Sequence, residues 1–313
     1  MDTPPARRHA RMPCLALKHV AGSDQPVFFS ALEKKAIDMD ATGVLENDNC
    51  WATPQGWVLV RAAAAASSRI PLPHLPEDGL PSFCTCVLSD DPDLSVLGRS
   101  CLVLLIRTDN PIFWYCRIGD GSEWVRHEYD IGTQALRDLG EGCSEKLLMM
   151  SIAACQGKFY FTGGSYGKLG VLEFSPAPVF NSIAIPDPME EVVGYQSETL
   201  VESRQELFMV SLLSGMDRGV VYRVHVHRLD FSRQEWVEVD DIGGRAFLLS
   251  WWYFGASRSA GECGLKPNCV YTAYPLNKGM MVFDVKGRTM MMQDLDEAPM
   301  ANQALWLLPT EHQ

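Results

Sequence analysis

The sequence predicts an all-β protein: a single β-propeller of four-stranded antiparallel blades, about six of them, closed by strands from both termini. Three observations carry this expectation. Apolar, strand-like runs recur at an offset of 56 residues. Short turns bearing Gly, Pro, Ser or charged residues separate them. Sustained helical periodicity is almost absent, with Thr133 to Leu139 and Leu248 to Phe254 as the two short helical candidates. Repeats of about 40–50 residues, each a four-stranded sheet, are the signature of a propeller. Each such sheet has two apolar faces and must stack on neighbours.

The repeat can be followed residue by residue. Cys101-Leu102-Val103-Leu104-Leu105 maps onto Gly157-Lys158-Phe159-Tyr160-Phe161, and Phe113–Ile118 onto Leu169–Phe174. Trp124 maps onto Phe180, and Phe180 onto Trp236. Strands close on Arg117-Ile118, Glu173-Phe174, Asp230-Phe231 and Asp284-Val285, and a hairpin turn follows each. An aromatic or large apolar residue then opens the next strand: Trp124, Phe180, Trp236 and the Met290–Met292 run. The surrounding Val, Ile, Tyr, Phe and Trp are strand formers.

Four units emerge near residues 83–129, 147–185, 197–240 and 246–294, with a weaker one near 47–72. Strand-like pieces remain at both ends, Val27–Ser30 and Lys35–Met39 at the start and Ala304–Leu308 at the finish. A lone terminal strand would leave an apolar edge, so the two ends are expected to share one blade. The expected organisation is a disordered basic N-terminus over 1–12, a propeller over 13–309 and a tail over 310–313.

Composition bounds the function. The 313 residues are 47% hydrophobic and 21% charged, which is ordinary for a folded domain. The net charge is −12, which argues against nucleic acid as the main partner, because phosphate binding needs a basic field. Residues 1–20 alone are basic, with Arg7, Arg8, Arg11 and Lys18 against Asp2. Their apolar stretch, around Leu15-Ala16-Leu17, is too short for a secretory leader, and no 18-residue apolar run exists. Ten cysteines without secretory context read as free thiols. No membrane association is expected, and a cytoplasmic or nuclear location is.

Several motifs then acquire a family resemblance. Asn49-Cys50-Trp51-Ala52-Thr53-Pro54-Gln55-Gly56-Trp57 is similar to an "S-x-x-G-W" opening, and Ile70-Pro71-Leu72-Pro73 to an "I-x-L-P" blade end. Gly157–Phe161, Leu200-Val201-Glu202-Ser203, Leu229-Asp230-Phe231 with Trp236, Ile242–Leu248 and Asn268-Cys269-Val270-Tyr271 follow in the same order. Together, over about residues 12–308, they resemble the plant F-box-associated β-propeller family of the kink-suppressor (KIB) type, long catalogued as a domain of unknown function. Cys50–Pro54 and Trp251–Ser257 look like its cereal branch.

The resemblance implies a substrate-recognition propeller of ubiquitin ligases. Two departures qualify it. The F-box pattern Leu-Pro-x-x-Leu-x-x-x-Ile stands nowhere in these 313 residues, so no binding to the ligase adaptor is expected. The family's "L-x-N/D-P-x-x-G" strand is replaced by Arg61–Arg69, with five alanines, Ala62–Ala66, which are poor strand formers.

Several residue groups are of types that could carry chemistry. Glu190-Glu191 and Asp240-Asp241 are carboxylate pairs of the kind propeller glycosidases use, but neighbours on a strand point to opposite faces, and both pairs fall in turn-like stretches. His225 and His227 share a strand face beside Arg223, which reads as a polar outer face opposite Tyr222, Val224 and Val226. Gly163–Lys168 lacks the strand-to-helix setting of a phosphate loop and reads as a hairpin turn. Cys84 with Cys86, and Cys263 with Cys269, lack a second ligand pair at zinc spacing. Ser257–Gly264 is a polar stretch and the best candidate for a recognition loop.

The expectation is therefore a non-catalytic protein-interaction module, with no catalytic, cofactor-binding or metal residues, no cofactor and an unidentified protein partner. A sugar-active propeller hydrolase and a truncated paralogue without function are the alternatives.

Overall fold

A computed structural model describes residues 12–20, 26–37, 50–60, 72–73, 84–90, 92, 101–118, 123–136, 143–163, 167–189, 194–215, 220–250 and 253–309. The expected disordered N-terminus, the Ala62–Ala66 run and the 310–313 tail lie outside them, apart from Met12.

The regular structure among the described residues is almost entirely strand, and most of it is laid out in consecutive antiparallel hairpins. The N-terminal strands are β1 (Cys14–Val20), β2 (Val27–Ser30) and β3 (Lys35–Ala36), followed by a short ribbon of β4 (Cys50–Ala52) and β5 (Val58–Val60). Then come β6 (Cys84–Leu88), β7 (Leu102–Arg107), β8 (Ile112–Arg117) and β9 (Val125–Glu128), which form one four-stranded sheet in chain order. A second ribbon pairs β10 (Thr133–Ala135) with β11 (Ser144–Lys146). The next two sheets are β12 (Ile152–Cys155), β13 (Lys158–Phe161), β14 (Lys168–Phe174) and β15 (Pro178–Ala184), then β16 (Tyr195–Ser203), β17 (Glu206–Ser214), β18 (Val221–Asp230) and β19 (Glu235–Glu238).

The last full sheet has five strands: β20 (Arg245–Ser250), β21 (Phe254–Ser259), β22 (Cys269–Tyr274), β23 (Gly279–Asp284) and β24 (Thr289–Asp294). Their spatial order is β21-β20-β22-β23-β24, with β20 and β22 parallel. The crossover carries a one-turn helix, α1 (Ala260–Cys263). β25 (Ala301–Leu307) ends the strands and pairs antiparallel with β1, giving the order β25-β1-β2-β3. The expected sharing of a blade by the two termini is present, in the register Leu15↔Trp306 and Leu17↔Ala304.

Three sequence expectations are corrected. Five sheets have four or more strands among the described residues, not six. The weak unit near 47–72 supplies only the β4–β5 ribbon there, turned at Gly56. That glycine has φ +93°, and a Cβ on it would stand 2.7 Å from the Pro309 carbonyl oxygen, so the turn needs the missing side chain. The described parts of both helical candidates form strands instead: Thr133–Ala135 pairs with Ser144–Lys146, and Leu248 lies in β20. Pairing with a neighbour decided both, which short local windows do not reveal. The fifth sheet also departs from pure antiparallel order through β20 and β22.

The residues fall into two compact units, one of residues 1–60, 240–251 and 256–313 and one of 61–239 and 252–255. Within the second, alternation along strands explains the core. On β12, Ile152 and Ala154 join Val87, Leu104, Ile106 and Phe113 of the β6–β9 sheet. Their neighbours Ala153 and Cys155 join Leu200, Leu207, Met209 and Leu229 of the β16–β19 sheet. Strands β12 to β14 are therefore buried on both faces, which is why they read as apolar runs rather than as alternating ones, while the outer strand β15 is largely exposed.

The repeated aromatic positions fall on strands of equal rank. Phe180 lies on β15 and Trp236 on β19, while Trp124 directly precedes β9, so each lies on or immediately before the fourth strand of its sheet. Phe180 packs against the first of these cores and Trp236 against the second. Trp124 is buried, and its indole N–H donates to the Pro73 carbonyl at 3.0 Å.

Candidate functional site

Asp240 and Asp241 are exposed in the turn after β19, and Asp241 Oδ1 accepts the Gly243 N–H at 2.6 Å. Asp241 caps the turn in which both lie, the turn-like setting their sequence suggested. Glu190 and Glu191 lie outside the described residues. Gly163 and Gly167 bracket the β13–β14 connection, with φ +102° and +70°. A Cβ at Gly163 would come within 2.0 Å of the Leu148 carbonyl oxygen, so a tight connection, not an anion cradle, requires this glycine.

The polar stretch 257–264 is not a free loop. Ser257 and Arg258 end β21 and are each 4% exposed. Arg258 donates from Nε to the Pro309 carbonyl at 3.0 Å and from Nη1 to the Ser257 carbonyl at 2.7 Å, and Arg245 Nε donates to Ser257 Oγ at 2.9 Å. Residues 260–263 form α1, ended by left-handed Gly264 at φ 67°. The expectation of a loop here is therefore overturned: Ser257 and Arg258 are hydrogen-bonded interior, and of the rest only Gly261, Glu262 and Gly264, on or beside α1, are exposed.

The histidine pair is also placed differently from expectation. The β18 register sets His225 opposite Ser211 and His227 opposite Met209 on β17, and these face Glu198 and Leu200 on β16. That face carries the apolar cluster of Leu200, Leu207, Met209, Leu229 and Trp236 at one end. Towards the other end it carries Glu198, Ser211, His225 and His227. His227 is 4% exposed, whereas Tyr222 on the opposite face is 50% exposed. The polar outer face predicted for the histidines is thus a partly polar inner one.

His225 Nδ1 lies 2.9 Å from Glu238 Oε1, and the two imidazole rings stack with centroids 5.9 Å apart. Ser211 Oγ, His225 Nε2 and His227 Nδ1 are buried and make no hydrogen bond among the described residues. Gln196 Nε2 donates to Glu198 Oε1 at 2.7 Å. Burial, and then Asp187, push the Glu198 carboxyl above its ordinary range, while burial holds His227 below its own. Sequence reasoning missed Glu198 and Ser211, since only strand register aligns β16 and β17 with the histidines.

The thiols are core. Cys84, Cys86, Cys101 and Cys116 are buried on the β6–β9 sheet or at its margin, and burial pushes Cys84 and Cys116 up to about 12. Cys263 and Cys269 are buried as well. Among the described residues, no three His, Cys, Asp or Glu side chains gather as metal ligands.

Large apolar side chains that are exposed recur on the outermost strands: Val125 on β9, Val179 on β15, Val237 on β19 and Met290, Met291 and Met292 on β24. No described helix is long and apolar enough to cross a membrane.

Comparison with known proteins fits this architecture. No curated protein matches the chain. The family described as KIB1-4 beta-propeller matches residues 28–290, from β2 into β24. The chain belongs to the KIB1-4 beta-propeller family.

Proposed function

We propose that this chain is a non-catalytic protein-interaction β-propeller, a substrate-recognition module akin to those of F-box ubiquitin-ligase receptors. The observation that carries the reading is the distribution of side chains. The polar groups capable of chemistry are packed between sheets or tied into turns, as with His227, Arg258 and Asp241. The outermost strands instead present exposed apolar residues, Val125, Val179, Val237 and Met290–Met292. Rigid sheets with apolar outer positions suit contact with another protein. The partner is a protein, and the polypeptide 1–313 does not itself engage the ligase adaptor.

Proximity labelling in the native tissue, followed by titration of purified 1–313 against each labelled protein, tests this. Saturable binding to at least one of them, and none to the adaptor, is expected. Stoichiometric adaptor capture, or turnover of glycoside substrates by the purified chain, overturns it.

A further inference from the structure

β24 is the outer strand of its sheet, and no described strand lies beyond it. Its pairing with β23 runs from Gly279↔Asp294 to Asp284↔Thr289, and the Leu295 N–H donates to the Lys278 carbonyl at 2.7 Å. In an antiparallel ladder, alternate residues turn their backbone groups to one neighbour. Thr289, Met291, Gln293 and Leu295 therefore bond inward, and Met290, Met292 and Asp294 turn N–H and C=O outward.

The other outer strands are guarded against pairing. β3 is two residues long and includes Lys35; β9 reads Val-Arg-His-Glu; β15 opens on Pro178 and carries Asn181 and Ser182 at its middle; β19 reads Glu-Trp-Val-Glu. Charge, proline and brevity are the usual devices that stop edge-to-edge association. β24 has none of them between Thr289 and Gln293, and its three methionines are 39%, 46% and 55% exposed.

The flanks of β24 say what covers it. Exposed Lys286 and Arg288 precede Met291 by five and three residues, and exposed Asp296 and Asp294 follow it by the same intervals. The strand is thus charge-complementary to itself when reversed about Met291. We propose that two copies of this chain pair antiparallel through β24, with the twofold axis at Met291.

That register sets Met290 opposite Met292 of the partner subunit, and Arg288 opposite Asp294 of the partner subunit. It also joins residues whose backbone groups already point outward. Shifting the pairing by one residue sets outward groups against inward ones. Moving the axis to Met292 sets Met290 against a carboxylate. The contact is isologous and closed, giving a dimer and not a fibre. It takes up β24, one of the outer strands the proposed function counts, and leaves Val125, Val179 and Val237 for a protein partner.

Sedimentation velocity of the full chain over a concentration series tests it. A reversible dimer weakened by salt is expected. Met291→Lys, which places like charges opposite each other at the axis, and Arg288→Asp should each raise the dimer Kd by at least about tenfold. Arg288→Asp with Asp294→Arg should restore it, which a merely unfolded variant could not do; circular dichroism checks each fold. Met291→Cys on a Cys143→Ser background should oxidise to a covalent dimer, since a non-hydrogen-bonded pair sets the Cα atoms about 4.5 Å apart. A chain that stays monomeric up to its solubility limit overturns the proposal. So does a dimer indifferent to Met291→Lys and Arg288→Asp, or a charge swap that fails to restore pairing.

Discussion

Ser151 Oγ accepts the backbone N–H of Leu200 at 2.8 Å, and Ser250 Oγ accepts that of Trp306 at 3.0 Å. In each pair a serine at or just before the end of one sheet's strand holds a strand of another sheet, the middle of β16 in the first case and the C-terminal end of β25 in the second. Both serines and both acceptor-bound residues are buried. Apolar packing fixes how far apart such sheets lie, but it is non-directional; the hydroxyl fixes how far one slides along the other.

Ser151→Ala should therefore leave a buried N–H without a partner, at a cost of about 1–3 kcal/mol. Urea denaturation should show a lower midpoint with an unchanged slope. An unchanged midpoint would mean that water takes over the bond.

The tryptophans should rank by burial. Trp306 is 1% exposed, and its indole N–H donates to the Leu249 carbonyl at 3.1 Å, so Trp306→Ala should cost about 3–5 kcal/mol. Trp236 is half-buried and packs on one side of its cluster only. Trp236→Ala should cost less than Trp306→Ala, and equal losses would contradict the placement. Deleting residues 301–313 strips β1 of its β25 partner and should lower both melting temperature and solubility.

Among the described cysteines, Cys143 alone is exposed. Burial pushes Cys14 up to about 11 and Cys155 up to about 12, so their reactive thiolates are scarce at neutral pH. A thiol reagent should label Cys143 rapidly and the buried ones only on unfolding. Cys143→Ser should remove that fast phase; rapid labelling of Cys84 or Cys116 would contradict their burial.

What was legible in the sequence follows from range. The hairpins at 102–128, 158–184 and 206–238 are local pairings, and their turns and apolar runs lie within a few residues of each other. That the two chain ends share a sheet was legible, because an apolar strand at a chain end needs a partner; that the partner of β25 is β1 was not, since Leu15-Ala16-Leu17 is short and Val27–Ser30, which lies one strand further in, has the stronger strand composition. The number of blades was not: the Trp51 and Gly56-Trp57 segment has strand composition, but its neighbours decide how many strands join it. Residues 257–259 were misread because the partner that satisfies Arg258 is the carbonyl of Pro309, distant in sequence. His227 was misread because β18 alternates imperfectly, burying Val226 and His227 in succession.

That burial gives the chain a pH dependence whose sign can be worked out. His227 is held below its ordinary value chiefly by burial; the nearby His225 adds to this, and Glu238 and Asp187 oppose it. The unfolded state therefore takes up a proton near pH 6.5, where the folded one does not. As pH falls through this value, His227 draws stability out of the folded state. Glu198 acts in the opposite sense. Its folded carboxyl is raised above 4.5 by burial and by Asp187, so the folded state gains a proton first and is favoured as pH falls towards that value. Melting curves at about pH 7.5 and about pH 5.5 separate the two. His227→Gln should reduce the loss of melting temperature on acidification, because no buried imidazole then resists protonation. Glu198→Gln should raise the melting temperature at the higher pH and show less of that gain at the lower one, since the raised wild-type carboxyl takes up its proton in the folded state before the unfolded one as pH falls. If both variants kept the wild-type difference between the two conditions, the inner-face placement of His227 and Glu198 would be wrong, because exposed groups at these positions would titrate alike in both states.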